Sequence, residues 1–425
     1  MDESAIGISG YLTTTPGFGG RLKASPEDFV VNEIPVDLPR SAEGRYTVAR
    51  IWRRNWETNH LVREISRRLR ISRKRIAFAG TKDRRAITTQ LFQFDAPGDA
   101  VESIRLKDVE ILETYRTDRV LEIGDLLGNE FTITVRDIPL SKAEIESRTE
   151  TIAREVRAAG GFPNFFGVQR FGSVRPITHI VGRHIVRGEF KEGVHAYIAN
   201  PMEGEGEESA AVRAELETTG DYAAALRAYP DEWGFEKAIL NHLVKHPDDY
   251  VGALQILPHN LQMMFVHGYQ SYLFNRILSG RMRAGFPFHE PVEGDIVLAA
   301  RADGRPDRNR EIPVDFTNLE RVAAQCGAGK AFVSALLFGS ETKFAAGRPG
   351  EIETRVIAEE GLQPEDFIIP EIPRLSSRGA RRELLAPVRD LEWEASEGVV
   401  TFQFTLTPGC YATCLLREFL KVPMR

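Results

Sequence analysis

Alternation of apolar and polar residues predicts several β-strands along this chain. The apolar run 76–79 and the segment 87–94 both have strand character, and they flank a turn signal at Gly80-Thr81. Two later segments, 131–135 and 399–406, carry apolar residues at every second position. One face of each of these strands should therefore lie in a core.

Apolar residues at a four-residue spacing predict a helix in the first third of the chain. Leu61, Ile65 and Leu69 share its buried side, and Thr58 is its expected N-cap. Further on, Ser141-Lys-Ala-Glu144 has the sequence of a capping box, so a second helix should begin there.

Turn signals separate the predicted elements. Pro26-Glu-Asp28 is expected to divide two strand pieces within 21–36, and Gly128-Asn129 is expected to form a turn before the strand 131–135. The acidic segment 203–208 is predicted to be a polar loop.

The order of these patterns predicts the domain organisation. Residues 1–161 mix strands with a few helices without regular β-α-β alternation, which is typical of an α+β domain with helices on one face of its sheet. Residues 162–371 carry mainly helical patterns and are interpreted as a second, helix-rich domain. Residues 372–425 return to strand chemistry. Because a terminal strand needs a sheet, this segment is predicted to complete the first domain, which makes 162–371 an insertion.

Composition narrows the class of protein. The chain has 425 residues, of which 42% are hydrophobic and 27% charged, values ordinary for a globular protein of two or three domains. No window approaches the roughly 18 apolar residues of a membrane span. The N-terminal segment lacks the pattern of a signal peptide, and the three cysteines form no C-x-x-C pair. We therefore expect a cytoplasmic protein without a membrane partner or a disulfide scaffold.

The distribution of charge points to an anionic partner. The chain carries a net charge of −6, but the segment 61–90 contains ten Lys or Arg residues against two acidic ones, a local net charge of +8. The remaining residues then carry −14. A basic stripe on an acidic body is expected where one face meets phosphate groups. The alternative for this stripe, which includes Arg67 and Arg68, is an ordinary solvated helix face.

Asp83 is the candidate reactive residue of the chain. It follows the Gly80-Thr81 turn signal between two predicted strands, with Lys82 on one side and Arg84-Arg85 on the other. Neighbouring cations favour the ionised form of a carboxylate. A loop between rigid strands is also a usual position for a functional group. Spacing alone, however, fits an ordinary charged surface turn better.

Familiar cofactor and metal motifs are incomplete in this sequence. The segment 327–330 resembles part of a phosphate-binding loop, but alanines replace the first glycine and the Ser/Thr of that motif. His242 and His246 are spaced as in a zinc helix, yet Leu243 replaces the required glutamate. No cofactor and no metal site is predicted.

Four sequence blocks stand out along the chain: Gly80-Thr-Lys-Asp-Arg-Arg-Ala86 with Thr88 and Gln90, Gly128-Asn-Glu-Phe131, Asn164-Phe-Phe-Gly-Val-Gln-Arg-Phe-Gly172, and Tyr411-Ala-Thr-Cys-Leu-Leu-Arg-Glu418. In this order they resemble the TruD family of pseudouridine synthases over nearly the whole chain. The resemblance implies an α+β fold, in which a pseudouridine-synthase catalytic domain with a mixed, mainly antiparallel sheet holds an inserted, helix-rich TRUD domain. A cleft between them would take RNA. It further implies that uridine 13 in the D-arm of tRNA is converted to pseudouridine, without a cofactor and with no obligatory protein partner.

The same resemblance implies roles for particular residues. Asp83 would be the catalytic carboxylate, and Lys23 would pair with it and orient it. Phe131 would receive the flipped base on its ring, and Asn129 would bond the edge of the uracil. The residues expected to contact the RNA elsewhere are Arg67, Arg68, Arg84, Phe166 and Arg170. For Phe131 and the 165–171 aromatics, a purely structural role is the alternative.

Two other classes of function compete with this interpretation. A non-catalytic RNA-binding protein could use the same basic stripe and aromatic residues, and it would leave uridine unchanged. An RNA methyltransferase would need a nucleotide-type cofactor site, and the sequence shows no glycine-rich turn from a strand into a helix to supply one.

Overall fold

The structure is a computed structural model that describes residues 3–172, 174–202 and 204–422. The strands are β1 (Phe29–Pro35), β2 (Tyr46–Arg54), β3 (Ile76–Phe78), β4 (Ile87–Phe94), β5 (Val109–Thr117), β6 (Leu126–Val135), β7 (Phe162–Pro163), β8 (Ile296–Ala300), β9 (Pro306–Pro313), β10 (Ala331–Leu337), β11 (Ala380–Glu383), β12 (Leu385–Ala386), β13 (Val388–Ser396) and β14 (Val399–Leu406). The α-helices are α1 (Thr58–Leu69), α2 (Gly98–Glu102), α3 (Lys142–Ala158), α4 (Thr178–Val186), α5 (Phe190–Ile198), α6 (Glu207–Thr219), α7 (Tyr222–Ala228), α8 (Gly234–Lys245), α9 (Tyr250–Gln255), α10 (His259–Arg283), α11 (Leu319–Gly327), α12 (Gly347–Glu359) and α13 (Ala412–Leu420).

Contacts between residues divide the described chain into two compact units. The first unit, which we call the sheet unit, consists of residues 13–162 and 386–422. The second, the helical unit, contains residues up to 12 and those between 163 and 385. Each unit is a set of residues that contact one another more than they contact the rest of the chain. The predicted domain limits at 161/162 and 371/372 stay a prediction.

The sheet unit is built on a mixed, mainly antiparallel sheet of eight strands. Its order is β13-β14-β6-β1-β4-β2-β5, and β3 pairs with β4 beside this path. β1 and β4 run parallel, whereas the other neighbouring strands run antiparallel. β14 pairs with β6 from Val400 opposite Val135 to Leu406 opposite Asn129. The prediction that the terminal strand completes the N-terminal sheet is therefore confirmed.

Helix α1 covers one part of this sheet as its sequence predicts. Leu61 and Ile65 are buried and pack in a core with Phe92 and Phe94 of β4. The expected N-cap was wrong by one residue: the Glu57 side chain accepts hydrogen bonds from the backbone N–H groups of Asn59 and His60. Thr58 is instead the first residue of the helix, and its hydroxyl bonds to other groups, as described below.

Helix α3 confirms the predicted capping box. The Ser141 hydroxyl accepts a hydrogen bond from the backbone N–H of Glu144, and the Glu144 carboxylate accepts one from the backbone N–H of Ser141. Such bonds supply partners for N–H groups that have none within the helix.

The predicted turn at Gly128-Asn129 was wrong, because both residues lie inside β6. They pair with Ile34 and Glu33 of β1. A Cβ atom at position 128 would lie 2.6 Å from the carbonyl oxygen of Leu406. The glycine thus permits a close approach of the neighbouring strand, which is a common reason for a glycine inside a strand.

The two strand pieces expected within 21–36 are realised only in part. The Pro26–Asp28 segment forms a 3₁₀ turn and β1 follows it. Before the turn, the chain makes one isolated bridge, between Arg21 and Arg136.

The helical unit holds α4 to α12 and a four-stranded antiparallel sheet, β11-β10-β8-β9, that the sequence patterns did not predict. Its longest helix, α10, packs on α4. Of the predicted polar loop 203–208, Glu203 lies outside the described residues, and Glu207 and Glu208 form the first turn of α6. None of the helices in the described residues is both long and apolar enough to cross a membrane.

Candidate active site around Asp83

Asp83 lies in the connection between β3 and β4, as the strand patterns predict. Its Oδ2 atom accepts a hydrogen bond from Lys23 Nζ at 2.7 Å. The Asp83 side chain is 36% exposed and that of Lys23 is 17% exposed. Oδ1 has no hydrogen-bond partner in the described residues. One carboxylate oxygen is thus held by the ion pair, while the other is available to a substrate.

The sequence placed three cations, Lys82, Arg84 and Arg85, beside Asp83, but the structure arranges them differently. Lys82 Nζ donates to Glu33 Oε2 at 2.7 Å, and both side chains are buried, with 7% and 1% exposure. Arg85 Nη2 donates to the carbonyl oxygen of Ala24 at 3.0 Å. The cation that contacts Asp83 is therefore Lys23, far away along the chain.

The backbone just before Asp83 is anchored by two polar side chains. Gln90 Nε2 donates to the carbonyl oxygen of Gly80 at 3.0 Å. The backbone N–H of Lys82 donates to Thr58 Oγ1 at 2.9 Å. These bonds pair backbone groups on both sides of Thr81, so the turn has a defined conformation immediately before Asp83.

Lys23 is held by its own backbone and by an aromatic ring. Its φ angle of 52° lies in the left-handed region, which is unusual for a residue other than glycine. Its ammonium lies 4.1 Å from the ring centroid of Phe29, within the range of a cation–π interaction. The lysine therefore reaches Asp83 from a constrained position.

Phe131 joins the same aromatic group. Its ring meets Phe29 edge-on, with centroids 6.2 Å apart, and stacks on Phe404 at 5.3 Å and 22°. The side chain is 7% exposed. The structure thus links Asp83, Lys23, Phe29 and Phe131 through successive contacts. It also gives Phe131 the packing of a core residue, so both roles considered from the sequence remain.

Asn129 lies on the same face of β6 as Phe131, because side chains two positions apart on a strand point to the same side. Its partner in register on β1 is Glu33, the residue that binds Lys82. The Asn129 Oδ1 atom is buried and has no hydrogen-bond partner in the described residues. Leaving a buried acceptor unpaired costs free energy, so this oxygen marks a place where a donor is favoured.

The basic stripe lies on the surface around α1. Nine of its ten cations are exposed, Lys82 being the exception. Arg67 and Arg68 both bind Glu64, at 2.9 and 3.2 Å. The Arg84 side chain is exposed and has no partner in the described residues. The prediction that these side chains contact RNA stays a prediction.

Phe166 and Arg170 belong to the helical unit. The Phe166 ring is 9% exposed and lies 4.2 Å from the guanidinium of Arg382 and 5.8 Å from that of Arg170. Arg170 Nε donates to Ser271 Oγ at 3.1 Å. These contacts account for a structural role of the motif, and its contact with RNA stays a prediction.

Sequence reasoning missed the buried polar residues that support the turn. Glu33 lies on β1 in phase with the buried Phe29 and Val31, and Arg53 lies on β2 in phase with Ile51. A charged residue at an inward position of an alternating strand was the available signal, because burying a charge is costly unless it has a purpose or a partner.

Comparison with known proteins identifies the family. A family model described as tRNA pseudouridine synthase D (TruD) matches residues 5–419. The chain belongs to the TruD family. The resemblance seen in the four motif blocks is thereby confirmed.

Relatives and a solved structure match over the whole length of this TruD-family chain. "Probable tRNA pseudouridine synthase D" of Methanococcoides burtonii is 44% identical over 427 residues, covering 99% of this chain and 97% of that protein. The protein of the same name from Halobacterium salinarum is 40% identical over 435 residues, with the same coverage. A crystal structure from Methanosarcina mazei, of a protein named as tRNA pseudouridine synthase D, matches with a TM-score of 0.84 at 44% identity, covering 99% of this chain and 97% of that one. The predicted fold class is confirmed.

Proposed function

We propose that this protein isomerises uridine 13 in the D-arm of tRNA to pseudouridine, with Asp83 as the catalytic carboxylate. The observation that carries the proposal is the Lys23–Asp83 ion pair at 2.7 Å, on a partly exposed turn of a TruD-family chain. The names of the relatives, which specify a tRNA pseudouridine synthase, support the substrate class.

The reaction breaks the N1–C1′ bond of uridine, turns the base and forms a C5–C1′ bond, while C5 loses its proton and N1 gains one. It needs a carboxylate as nucleophile or base and involves no net oxidation or reduction. Asp83 suits this step because Lys23 holds Oδ2 and keeps the anion oriented, while Oδ1 faces no partner in the described residues. Orientation of a reacting group accounts for a large share of catalysis in enzymes.

The target base must leave its stack before it can be turned. We propose that Phe131 receives the flipped uracil, since its ring belongs to the aromatic group that also holds Lys23. Asn129 would accept a hydrogen bond from the imide N–H of uracil through its unpaired Oδ1 atom. Such a contact would favour uracil over cytosine, which carries no hydrogen at the equivalent nitrogen.

Phosphate groups of the tRNA would meet the exposed basic stripe. Arg67, Arg68 and Arg84 are the residues we propose for this contact. In the helical unit, Arg170 and Phe166 are the proposed contacts, although both also pack within that unit.

Mapping the product position tests the proposal. A tRNA transcript with uridine 13 is incubated with the purified protein, and pseudouridine is located by carbodiimide treatment and primer extension. We expect one new stop that reports position 13 and none on a matched transcript with cytidine 13. Pseudouridine at other positions alone would refute the assignment of the site. Tight tRNA binding without any conversion would favour the non-catalytic RNA-binding alternative.

A further inference from the structure

Arg53 is a charged residue in the interior of the sheet unit. Its side chain is fully buried on β2, and its guanidinium lies 5.4 Å from the ring centroid of Phe92. Its Nε and Nη1 atoms have no hydrogen-bond partner in the described residues. Burial lowers the pKa of Arg53 to about 10, which still leaves it protonated at neutral pH. Packing alone does not account for this residue, because an apolar side chain would fill the same space at a lower desolvation cost.

The hydrogen bonds that Arg53 does make converge on two residues. Nη2 donates to Thr58 Oγ1 and to Gln90 Oε1, both at 2.8 Å. Thr58 Oγ1 also accepts the backbone N–H of Lys82, and Gln90 Nε2 donates to the carbonyl of Gly80. Each acceptor of Arg53 thus has a second bond, and both second bonds end on the turn that leads into Asp83.

The chemistry of the guanidinium determines the direction of these bonds. Arginine can only donate hydrogen bonds, so Gln90 must turn its oxygen toward Arg53 and its NH₂ group toward the turn. That NH₂ group can bind a carbonyl, and Gly80 presents one. Without the guanidinium, the amide of Gln90 could rotate and lose this complementarity.

We propose that Arg53 is a positioning residue for Asp83, acting through Thr58 and Gln90 to hold the backbone on both sides of Thr81. It touches neither substrate nor reacting atoms in this scheme. The proposal rests on the proposed function, in which Asp83 supplies the catalytic carboxylate. The same turn is also held through the Lys82 side chain, whose ammonium binds the buried Glu33. The Arg53 network and this ion pair therefore both act on Lys82, the first through its backbone and the second through its side chain.

Loss of the network should affect turnover more than binding of tRNA. A misplacement of a reacting group by about 1 Å can cost on the order of 100-fold in rate. The exposed cations proposed to contact phosphates do not bond to Arg53, Thr58 or Gln90. We therefore expect Arg53→Met and Thr58→Val to lower kcat by roughly 10- to 100-fold with KM for tRNA nearly unchanged.

The experiment pairs kinetics with hydrogen exchange. Amide exchange is followed by mass spectrometry in peptides that cover 79–86, in the free protein. Arg53→Met and Thr58→Val should accelerate exchange there. Thr58→Ser, which retains the hydroxyl, should keep both the exchange rate and kcat at their wild-type values. Thr149→Val is the matched control, because the Thr149 hydroxyl on α3 is buried without a partner in the described residues.

The outcomes separate this proposal from the proposed function. Faster exchange at 79–86 with a lower kcat supports the positioning role. Faster exchange with a wild-type kcat overturns it, as does unchanged exchange in the folded variants. A raised KM with unchanged kcat would also overturn it. If the wild-type protein converts no uridine, the proposed function fails, and positioning for catalysis fails with it, while the exchange rates still show whether Arg53 holds the turn. Should Arg53→Met not fold, Thr58→Val and Thr58→Ser decide the question.

Discussion

At the scale of single residues, Lys23 determines how much of the Asp83 carboxylate is free. Its ammonium lies against both Phe29 and Asp83 Oδ2, and its backbone adopts a left-handed conformation. That conformation costs roughly 1–2 kcal/mol for an ordinary residue. The surrounding contacts must offset this cost, so the position of the ammonium is well defined before any substrate binds.

Phe131 and its stacked neighbour Phe404 allow a test of the base-receiving role. Stacking on a flipped base is worth roughly 1–3 kcal/mol, which corresponds to a loss of about 5- to 150-fold in turnover for Phe131→Leu. Phe404→Leu removes comparable packing from the same pair of rings, and Phe404 is 1% exposed. We expect both variants to lower Tm and only Phe131→Leu to lose activity, in melting curves and single-turnover assays. Equal losses of activity in the two variants would assign Phe131 to packing.

At the scale of elements, α1 combines a buried face with an exposed cationic one. Replacing Arg67 and Arg68 by Ala should flatten the salt dependence of tRNA binding, because cations bound to phosphates release condensed counterions. If each of the two residues neutralises one phosphate, the slope of log K against log salt should become less negative by about 1.8. Filter binding at several salt concentrations measures it.

A matched pair of cations on another helix controls for net charge. Lys142 and Arg154 lie exposed on α3, each in an i,i+4 ion pair similar to that of Arg68. The Lys142→Ala, Arg154→Ala double variant should keep the wild-type slope. An unchanged slope in the Arg67, Arg68 variant would remove α1 from the interface.

Helix α4 carries a buried histidine that links stability to pH. His179 packs between the rings of Phe171 and Tyr272, and burial lowers its pKa to about 4 despite a hydrogen bond with the backbone of Ala5. The unfolded chain binds a proton near pH 6.5. Between pH 6.5 and pH 4 the unfolded state therefore holds more protons, and the free energy of unfolding falls as pH falls.

The His179→Phe variant should lose this part of the pH dependence. The wild-type free energy of unfolding should drop by about 3 kcal/mol more than that of the variant between pH 6.5 and 4. Urea melts at a series of pH values measure the difference. The exposed His289 provides the control, since His289→Phe should follow the wild-type curve. Parallel curves for wild type and His179→Phe would contradict this prediction.

At the scale of the whole molecule, the sequence predicted those features that depend on local periodicity. β14 and α3 were recognisable because alternation and a capping box are visible within ten residues. The sheet of the helical unit was missed because its edge strand β9 is almost entirely polar and exposed, so it has no alternating pattern. Gly128 was misassigned because the reason for the glycine, the carbonyl of Leu406, lies nearly 280 positions away.

In the candidate site, too, the features set by neighbours in the sequence were predictable, and those set by distant residues were not. Asp83 and its turn were predictable from flanking strands and charges. The sequence neighbour Lys82 was expected beside the carboxylate, yet its ammonium binds Glu33. Which cation contacts Asp83 depends on how β1 and β4 pair, and Lys23 was identified only through the family resemblance. Arg53 was not identified at all.

We propose that the Asp83 carboxylate performs the chemistry. Glu33, a second carboxylate close to the turn, is buried and bound to Lys82, so it cannot replace Asp83. Asp83→Asn keeps the shape of the side chain and removes its charge. A partly exposed ion pair contributes on the order of 0–1 kcal/mol, so the variant should remain folded. It should also bind tRNA at least as well as the wild type, because one negative charge leaves a site near phosphates.

Release of tritium from tRNA that carries 5-tritiated uridine measures this chemistry, because isomerisation removes the hydrogen at C5. The wild-type protein should release one equivalent for each target uridine. Asp83→Asn should release none above background, and the control Asp231→Asn, at an exposed carboxylate paired with Lys237 in the helical unit, should behave as the wild type. Release by Asp83→Asn near the wild-type rate would contradict the account.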